Sequence, residues 1–345
     1  MKQAIMTAPG KITFADVEKP VLNPGQVLIK IMRIGVCGSD IHVYHGKHPF
    51  TTYPVVQGHE VSGRIVEVFS DVKTFVPGDK VTVQPQVVCG KCYSCVHGDY
   101  HICDNLKVMG FQTTGMASEY FAVDAEKVLG LPADMSYDDG AIVEPLAVAC
   151  HCTKRGTRPI KGQNVVVFGA GPIGNLVAQT AKAKGAAKVM ITDVSAFRLD
   201  IAKACGIDYA VNSQDADVLA EIEKAFGKDK ADIIFDCAGN QATVSDAVRC
   251  ARKGTDIIMV AVVAEQVKVD LGVLQDRELK IIGTLMYKEE DYLEAIELLA
   301  QKKIHTSKII TDYFDFADYD AAYKLIEQRR DKAMKVMIKV SEDAS

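Results

Sequence analysis

The sequence predicts an α/β protein in two parts, a mainly β part and a doubly wound parallel sheet. Three observations carry that reading. Residues 1 to about 150 hold short runs rich in Val, Ile, Phe and Tyr, punctuated by Pro9-Gly10, Pro24-Gly25 and Pro77-Gly78. From about 160, unbroken apolar runs alternate with helical stretches, the pattern of a parallel sheet covered on both faces. The 345 residues suffice for two domains at roughly 150 residues each.

In the first part, strands are predicted at Lys11 to Val17, Gln26 to Ile34, Glu60 to Phe69, Lys80 to Gln84 and Glu119 to Val123. Their irregular spacing suits a barrel or sandwich. In the second part, the strand Asn164 to Phe168 leads into a helix from Ile173 to Lys184, stopped at Gly185. A strand at Lys188 to Thr192 and a helix at Phe197 to Cys205 follow, the helix stopped at Gly206. Asp232 to Asp236 reads as a strand, Ala242 to Arg252 as a helix, and Asp256 to Val262 and Glu278 to Gly283 as strands. Two amphipathic helices, Glu289 to Ala300 and Tyr319 to Gln328, precede a closing strand at Met334 to Val340. That strand returns the chain toward the first part. The expected boundaries are 1–152 with 287–345 for the first domain and 153–286 for the second.

Composition narrows the function. Hydrophobic residues make up 48% and charged residues 25%, which excludes a disordered or fibrous chain. No apolar run approaches the ~18 residues of a membrane helix, and Met1 to Met6 lack the regions of a signal peptide. The net charge of −5 makes nucleic acid and anionic membranes poor partners. A cytoplasmic protein is expected. Seven of the ten cysteines lie before residue 153, and without an export signal such clustering points to metal binding rather than disulfides.

Gly169-Ala170-Gly171-Pro172-Ile173-Gly174 follows a strand and opens a helix. In G-x-G-x-x-G the first glycine permits the turn. The second admits a pyrophosphate close to the backbone, and the third lets helix and strand pack. The helix N-terminus beyond Pro172 and Ile173 offers free N–H groups to the phosphate. Asp193 ends the next strand, 19 residues after Gly174. Its carboxylate suits the hydroxyls of an adenosine ribose and repels a 2′-phosphate, favouring NAD over NADP. Arg198 lies five residues further on, on the next helix.

Cys89, Cys92, Cys95 and Cys103 form C-x2-C-x2-C-x7-C. Four thiolates at this spacing can close a tetrahedral zinc site with no position left for substrate. An iron–sulfur cluster and a disulfide pair are the alternatives. His97 and His101 in the same loop read as solvated.

Three further segments stand out: Gly35-Val36-Cys37-Gly38-Ser39-Asp40-Ile41-His42, Gly58-His59-Glu60 and Val143-Glu144-Pro145-Leu146-Ala147, the last placing an acid just ahead of a proline and an apolar helix. Cysteine, histidine and glutamate all ligate zinc, but spacing alone does not unite segments so far apart. In order, Cys-x-Ser-Asp-x-His, Gly-His-Glu, Pro77-Gly78-Asp79, the cysteine loop, Glu-Pro-Leu-Ala and the glycine fingerprint resemble the zinc-containing medium-chain dehydrogenases over nearly the whole chain. Glu144-Pro145-Leu146-Ala147-Val148 is similar to the polyol, or sorbitol-type, branch. His48-Pro49-Phe50 to Tyr53-Pro54 is similar to bacterial sugar-acid oxidoreductases.

The resemblance implies a Rossmann cofactor domain and a GroES-like β domain that carries two zinc sites. Cys37 and His59 would bind a catalytic zinc with a glutamate. Glu60 and Glu144 both match acidic positions associated with that metal, and the choice between them stays open. Asp40 matches a carboxylate that orients His59, and Ser39 and His42 match a proton relay. The four loop cysteines match the family's structural zinc. The implied reaction is the reversible oxidation of a secondary alcohol of a polyol or sugar acid to a ketone with NAD⁺. Zinc acts there as a Lewis acid and the nicotinamide takes the hydride. The proton leaves through Ser39, the nicotinamide ribose and His42. His45, Lys47 and His48, in the loop after Cys37, read either as cations for a substrate carboxylate or as a solvated loop. L-threonine or 2,3-butanediol dehydrogenase is an alternative, and a non-enzymatic NAD-binding sensor is one of another class. The resemblance also implies a homotetramer or dimer, joined at an edge strand around Asp256 to Val262 or Glu278 to Gly283.

Overall fold

The computed structural model describes residues 1–263, 265–329 and 332–342. The chain divides into two compact units. One comprises Met1–Glu144, Lys288–Ile296 and the described part of Ile310–Ser345, and the other Pro145–Tyr287 and Glu297–Ile309.

In the first unit, β1 (Lys2–Ala8) and β2 (Lys11–Asp16) form an antiparallel hairpin. A larger sheet gathers β3 (Gln26–Val36), β4 (Glu60–Val68), β5 (Lys80–Val83), β8 (Tyr120–Asp124), β9 (Val128–Gly130), β16 (Ile310–Asp315) and β17 (Lys335–Lys339). Its order is β16-β17-β3-β4-β5-β9, with β8 also on β3. A short ribbon pairs β6 (Gln86–Val87) with β7 (Lys107–Val108). The strand β3 is the spine of the sheet. Eight of its eleven residues are buried, so it lacks the alternation of a half-exposed strand. Val27, Ile29, Ile31 and Ile34 pack into one core with Val61, Ile65 and Val81. At about 1.5–3 kcal/mol per fully buried side chain, that core anchors the register.

The register positions everything that follows. In the antiparallel pair β3–β4, Gly35 lies opposite Glu60. In β3–β17, Val36 lies opposite Val336. The end of β3, the start of β4 and the start of β17 therefore meet at one end of the sheet. Helix α1 (Gly38–Tyr44) leaves β3 at that end, with Cys37 as its N-cap. Helix α2 (Tyr93–Val96) is a single turn in the cysteine loop.

Helix α3 (Tyr137–Cys152) differs from the sequence expectation of an acid and a proline ahead of a helix. It contains Glu144 and Pro145 inside it. Its residues are buried almost throughout, so it has no amphipathic period to read.

The second unit is an α/β sheet of parallel strands: β10 (Asn164–Phe168), β11 (Lys188–Asp193), β12 (Tyr209–Asn212), β13 (Ala231–Asp236), β14 (Ala251–Met259) and β15 (Lys280–Gly283). The order β12-β11-β10-β13-β14-β15 is that of a doubly wound dinucleotide fold, whose ligands bind at the carboxyl ends of the strands. Helices α4 (Pro172–Ala183), α5 (Ala196–Ala204), α6 (Val218–Phe226), α7 (Gln241–Cys250) and α8 (Leu271–Asp276) join them. The predicted helix over Ala242 to Arg252 stops earlier, at Cys250, and β14 starts at once. Helices α9 (Glu289–Ala300), α10 (Thr306–Ile309) and α11 (Tyr319–Arg329) complete the chain. Among the described residues no helix is long and apolar enough to cross a membrane.

Gly169 follows β10 at φ +93°, which favours glycine. A Cβ on Gly174 would strike the carbonyl oxygen of Gly169, so α4 packs on β10 only with glycine there. Gly174→Ala is expected to cost about 1–3 kcal/mol through overpacking, read as a lower thermal unfolding midpoint. A midpoint equal to wild type would contradict this.

Candidate active site and metal centres

The strand register brings together side chains that the sequence scatters. The ligand atoms of Cys37, His59 and Glu60 all lie within 4.8 Å of one another. Cys37 is half-buried and the other two are buried. Glu144 is buried on α3 but lies outside that group.

Each of these three side chains is held from behind. Asp40, one turn into α1, is 1% exposed. Its Oδ2 accepts the backbone N–H of Cys37 at 2.9 Å. Its Oδ1 lies 3.5 Å from His59 Nδ1, which has no hydrogen bond within ordinary distance. With Nδ1 turned to a carboxylate, Nε2 is the nitrogen left for a metal. Burial alone would lower the pKa of His59, but Asp40 and Cys37 outweigh it and raise the pKa well above its ordinary value.

Both Glu60 oxygens accept hydrogen bonds from Lys335 Nζ, at 2.7 and 2.8 Å. Lys335 opens β17, is 2% exposed, and also donates to the carbonyl of Val36 at 3.2 Å. Burial works against its charge, yet Glu60, Cys37 and Glu144 together raise its pKa. Gly35 makes this possible, because a Cβ there would strike Glu60 Oε2. Lys335 was not legible in the sequence; its only signal is a lysine ahead of the apolar run Val336 to Ile338.

Ser39 is half-buried and His42 exposed, three residues apart on one side of α1. Of the loop cations, His45 faces Glu327 in an exposed pair. His48 stacks on Phe111 at 4.8 Å, and Phe111 in turn meets the His59 ring at 4.9 Å. Burial lowers the pKa of His48 below its ordinary value, so at neutral pH it is an uncharged ring. Lys47 is exposed.

Cys89, Cys92, Cys95 and Cys103 converge with all four sulfurs within 4.8 Å, and all ten cysteines are free of disulfides. Backbone N–H groups point at the sulfurs: Cys89 N–H and Asn105 N–H to Cys103 Sγ, both at 3.3 Å, and Cys92 N–H to Cys89 Sγ at 3.4 Å. The N–H groups of Lys91 and Cys92 bring the Cys89 thiol down to about 6, while desolvation pushes Cys95 up to about 12. Clustered thiols with peptide donors aimed at them fit a thiophilic cation. His97 is exposed and stacks on Tyr93 at 4.0 Å. His101 is buried rather than solvated, because the tight turn Tyr100–Ile102 carries it inward.

In the second unit, Gly171 is the N-cap of α4, Pro172 stands at its first position and Ile173 and Gly174 follow. Around Gly171 a Cβ would meet nothing within 4 Å, which leaves the backbone open to a ligand. Asp193 ends β11 with its carboxylate on the loop: Oδ2 accepts Ala170 N–H at 2.7 Å and Oδ1 accepts Ser195 N–H at 2.8 Å. Arg198 on α5 stands 3.8 Å from Oδ2. Each oxygen keeps a lone pair for a hydroxyl donor.

Comparison with known proteins agrees with both halves. Residues 23–133 match the alcohol dehydrogenase GroES-like domain and residues 172–301 the zinc-binding dehydrogenase domain. A sorbitol dehydrogenase of Halalkalibacterium halodurans is 36% identical over 98% of this chain and 99% of its own. A 2-dehydro-3-deoxy-L-galactonate 5-dehydrogenase of Pseudoalteromonas atlantica is 35% identical over 91% and 92%. An alcohol dehydrogenase of Escherichia coli, solved with NADH, superposes with a TM-score of 0.91 at 30% identity, covering 99% of each chain. The chain therefore belongs to the zinc-containing medium-chain dehydrogenases, in their polyol dehydrogenase branch, and is an oxidoreductase whose cofactors are zinc and NAD(H).

Proposed function

We propose that this enzyme interconverts a secondary alcohol of a polyol or sugar acid with the ketone, using NAD⁺ as hydride acceptor. The observation that carries the reading is the convergence of Cys37, His59 and Glu60 in a chain that also holds the dinucleotide fingerprint. Those three would hold the catalytic zinc, with Glu144 nearby in support of Lys335, and the four loop cysteines a structural one. Bound zinc supplies Lewis acidity that eases loss of the alcohol proton.

The protein's own groups do the rest. Asp40 fixes the His59 ring. Lys335 neutralises and aims Glu60. The hydroxyl of Ser39 would accept the alcohol proton while giving up its own toward the exposed imidazole of His42, which releases a proton to water. Gly169, Gly171 and the N-terminus of α4 at Pro172, Ile173 and Gly174 receive the pyrophosphate. Asp193 accepts the ribose hydroxyls, with Arg198 beside it. With His45 paired and His48 uncharged, Lys47 is the loop cation that would meet a substrate carboxylate. The free cysteines suit a cytoplasmic location.

We also read the oligomer from the sheet. Of the two candidate strands, β14 lies inside and β15 at the edge. Ile281 and Leu285 stand exposed there. A second copy would pair at β15 across a two-fold axis.

Three tests follow from this reading. Metal analysis is expected to find about two zinc ions per chain. Cys37→Ala removes one of them along with turnover on sorbitol, xylitol, galactonate, gluconate and idonate. Cys92→Ser removes the other and lowers the unfolding midpoint. Turnover retained by Cys37→Ala rejects the assignment. Asp193→Ala is expected to weaken NADH binding and to narrow the gap between NAD⁺ and NADP⁺ in kcat/KM; an unchanged ratio rules out Asp193 as the ribose acceptor. Light scattering should find a dimer or tetramer that Ile281→Lys dissociates. A wild-type monomer ends the edge-strand proposal.

A further inference from the structure

Behind His59 and Asp40 runs a buried chain of hydrogen bonds whose outer members have no part in the reaction above. Asp40 Oδ1 accepts Gln57 Nε2 at 3.1 Å. Gln57 Oε1 accepts the hydroxyl of Tyr323 at 3.1 Å. That hydroxyl lies 3.4 Å from the hydroxyl of Tyr319. All four side chains are buried, Gln57 to 2% exposure. Gln57 lies two residues before His59, whereas Tyr319 and Tyr323 come from α11, more than 250 residues away.

The direction of the chain is fixed by chemistry. A carboxylate only accepts, so Gln57 must turn its amide nitrogen to Asp40 and its oxygen away. That oxygen then faces Tyr323, whose hydroxyl must donate. A reversed amide would set oxygen against carboxylate in a site that water does not reach. The Tyr323 hydroxyl thus holds the amide in the one orientation that gives Asp40 a donor. Asp40 is in turn held between Cys37 N–H and Gln57, with Oδ1 facing His59 Nδ1.

We propose that Gln57 and Tyr323 are positioning residues for the catalytic metal site, holding Asp40 so that His59 presents Nε2 to zinc. The inference rests on the reading of Cys37, His59 and Glu60 as metal ligands. It adds that helix α11 sets the affinity of that site through a single amide. Partners that orient metal-bound histidines typically change metal affinity 10–100-fold. At one bond further out, an effect of about tenfold is expected.

The test is zinc release from the loaded full-length protein, titrated with a chelator. Cys37→Ala marks which of the two ions belongs to this site. Gln57→Leu and Tyr323→Phe are expected to release that ion at about tenfold lower chelator concentration, with the ion of the cysteine loop unchanged. Tyr323→Phe keeps the ring and removes only the hydroxyl, so packing is preserved. The double variant should be no weaker than Gln57→Leu alone, because Tyr323 acts only through Gln57. In cobalt-substituted protein the thiolate-to-metal absorption of the Cys37 site should shift in both variants. Release curves and cobalt spectra equal to wild type, with Cys37→Ala lacking one ion, overturn the positioning role and leave the ligand reading standing. Equal weakening of both ions overturns it too, as general loosening. Cys37→Ala that keeps both ions overturns the ligand reading and this inference with it.

Discussion

The buried ion pair of Glu60 and Lys335 is the constraint around which the first unit is arranged. Both side chains are almost wholly removed from water, at 1% and 2% exposure. Removing one partner of such a pair leaves an uncompensated buried charge, at a cost of about 3–5 kcal/mol. The pair therefore requires β17 to lie beside β3 and β3 beside β4 in one register, with glycine at position 35 so that the carboxylate can cross the middle strand. A slip of one residue would turn Glu60 to the other face. The apolar core makes the sheet stable, and the ion pair makes one alignment of it much better than its neighbours. That alignment also seats Cys37 and His59.

Charge gives the same arrangement a chemical purpose. Asp40, Glu60 and Glu144 are buried carboxyl groups at one end of the sheet, with Cys37 among them. Lys335 is the buried ammonium that pairs with Glu60. Even with His59 holding a proton beside Asp40, such an excess of acidic groups is costly in a dry site unless something more cationic joins it. A divalent cation among Cys37, His59 and Glu60 relieves that imbalance, so the donor set fits zinc on electrostatic as well as geometric grounds.

Much of this was legible in the sequence, and what was not shares one physical cause. The glycine loop and the four cysteines are local, so spacing alone described them. Most strands of the second unit are apolar runs and read at once, as in Val165 to Phe168, but the short, half-buried β12 (Tyr209–Asn212) gave no such signal. The choice between Glu60 and Glu144 stayed open because both are glutamates beside motif residues. The structure groups Glu60 with Cys37 and His59 because β4 begins there, while α3 carries Glu144 outside that group. Lys335, Gln57 and Tyr323 were missed because each gains its role from partners far away in the chain. No period or composition marks a lysine as buried, or a glutamine as the donor to a particular aspartate. Helix α3 was misread for the opposite reason: uniform burial erased its period and Pro145 looked like a start rather than an interior residue.

The two candidate metal sites are built in contrasting ways, and the contrast explains where each stands. The cysteine loop has little core of its own: Tyr93, Val96 and Ile102 are exposed within it. Its sulfurs are gathered by peptide N–H groups of the same short segment. A closed metal proposed there would give folding energy to a segment that apolar burial does not hold. The site of Cys37, His59 and Glu60 is the reverse. Three strands, a helix cap and α11 build it, and its buried polar groups draw on the stability of the surrounding core. A site that must keep one position open for substrate has too few protein ligands to organise itself. Its geometry has to be set by the fold, which is why its supports lie so far apart in the chain.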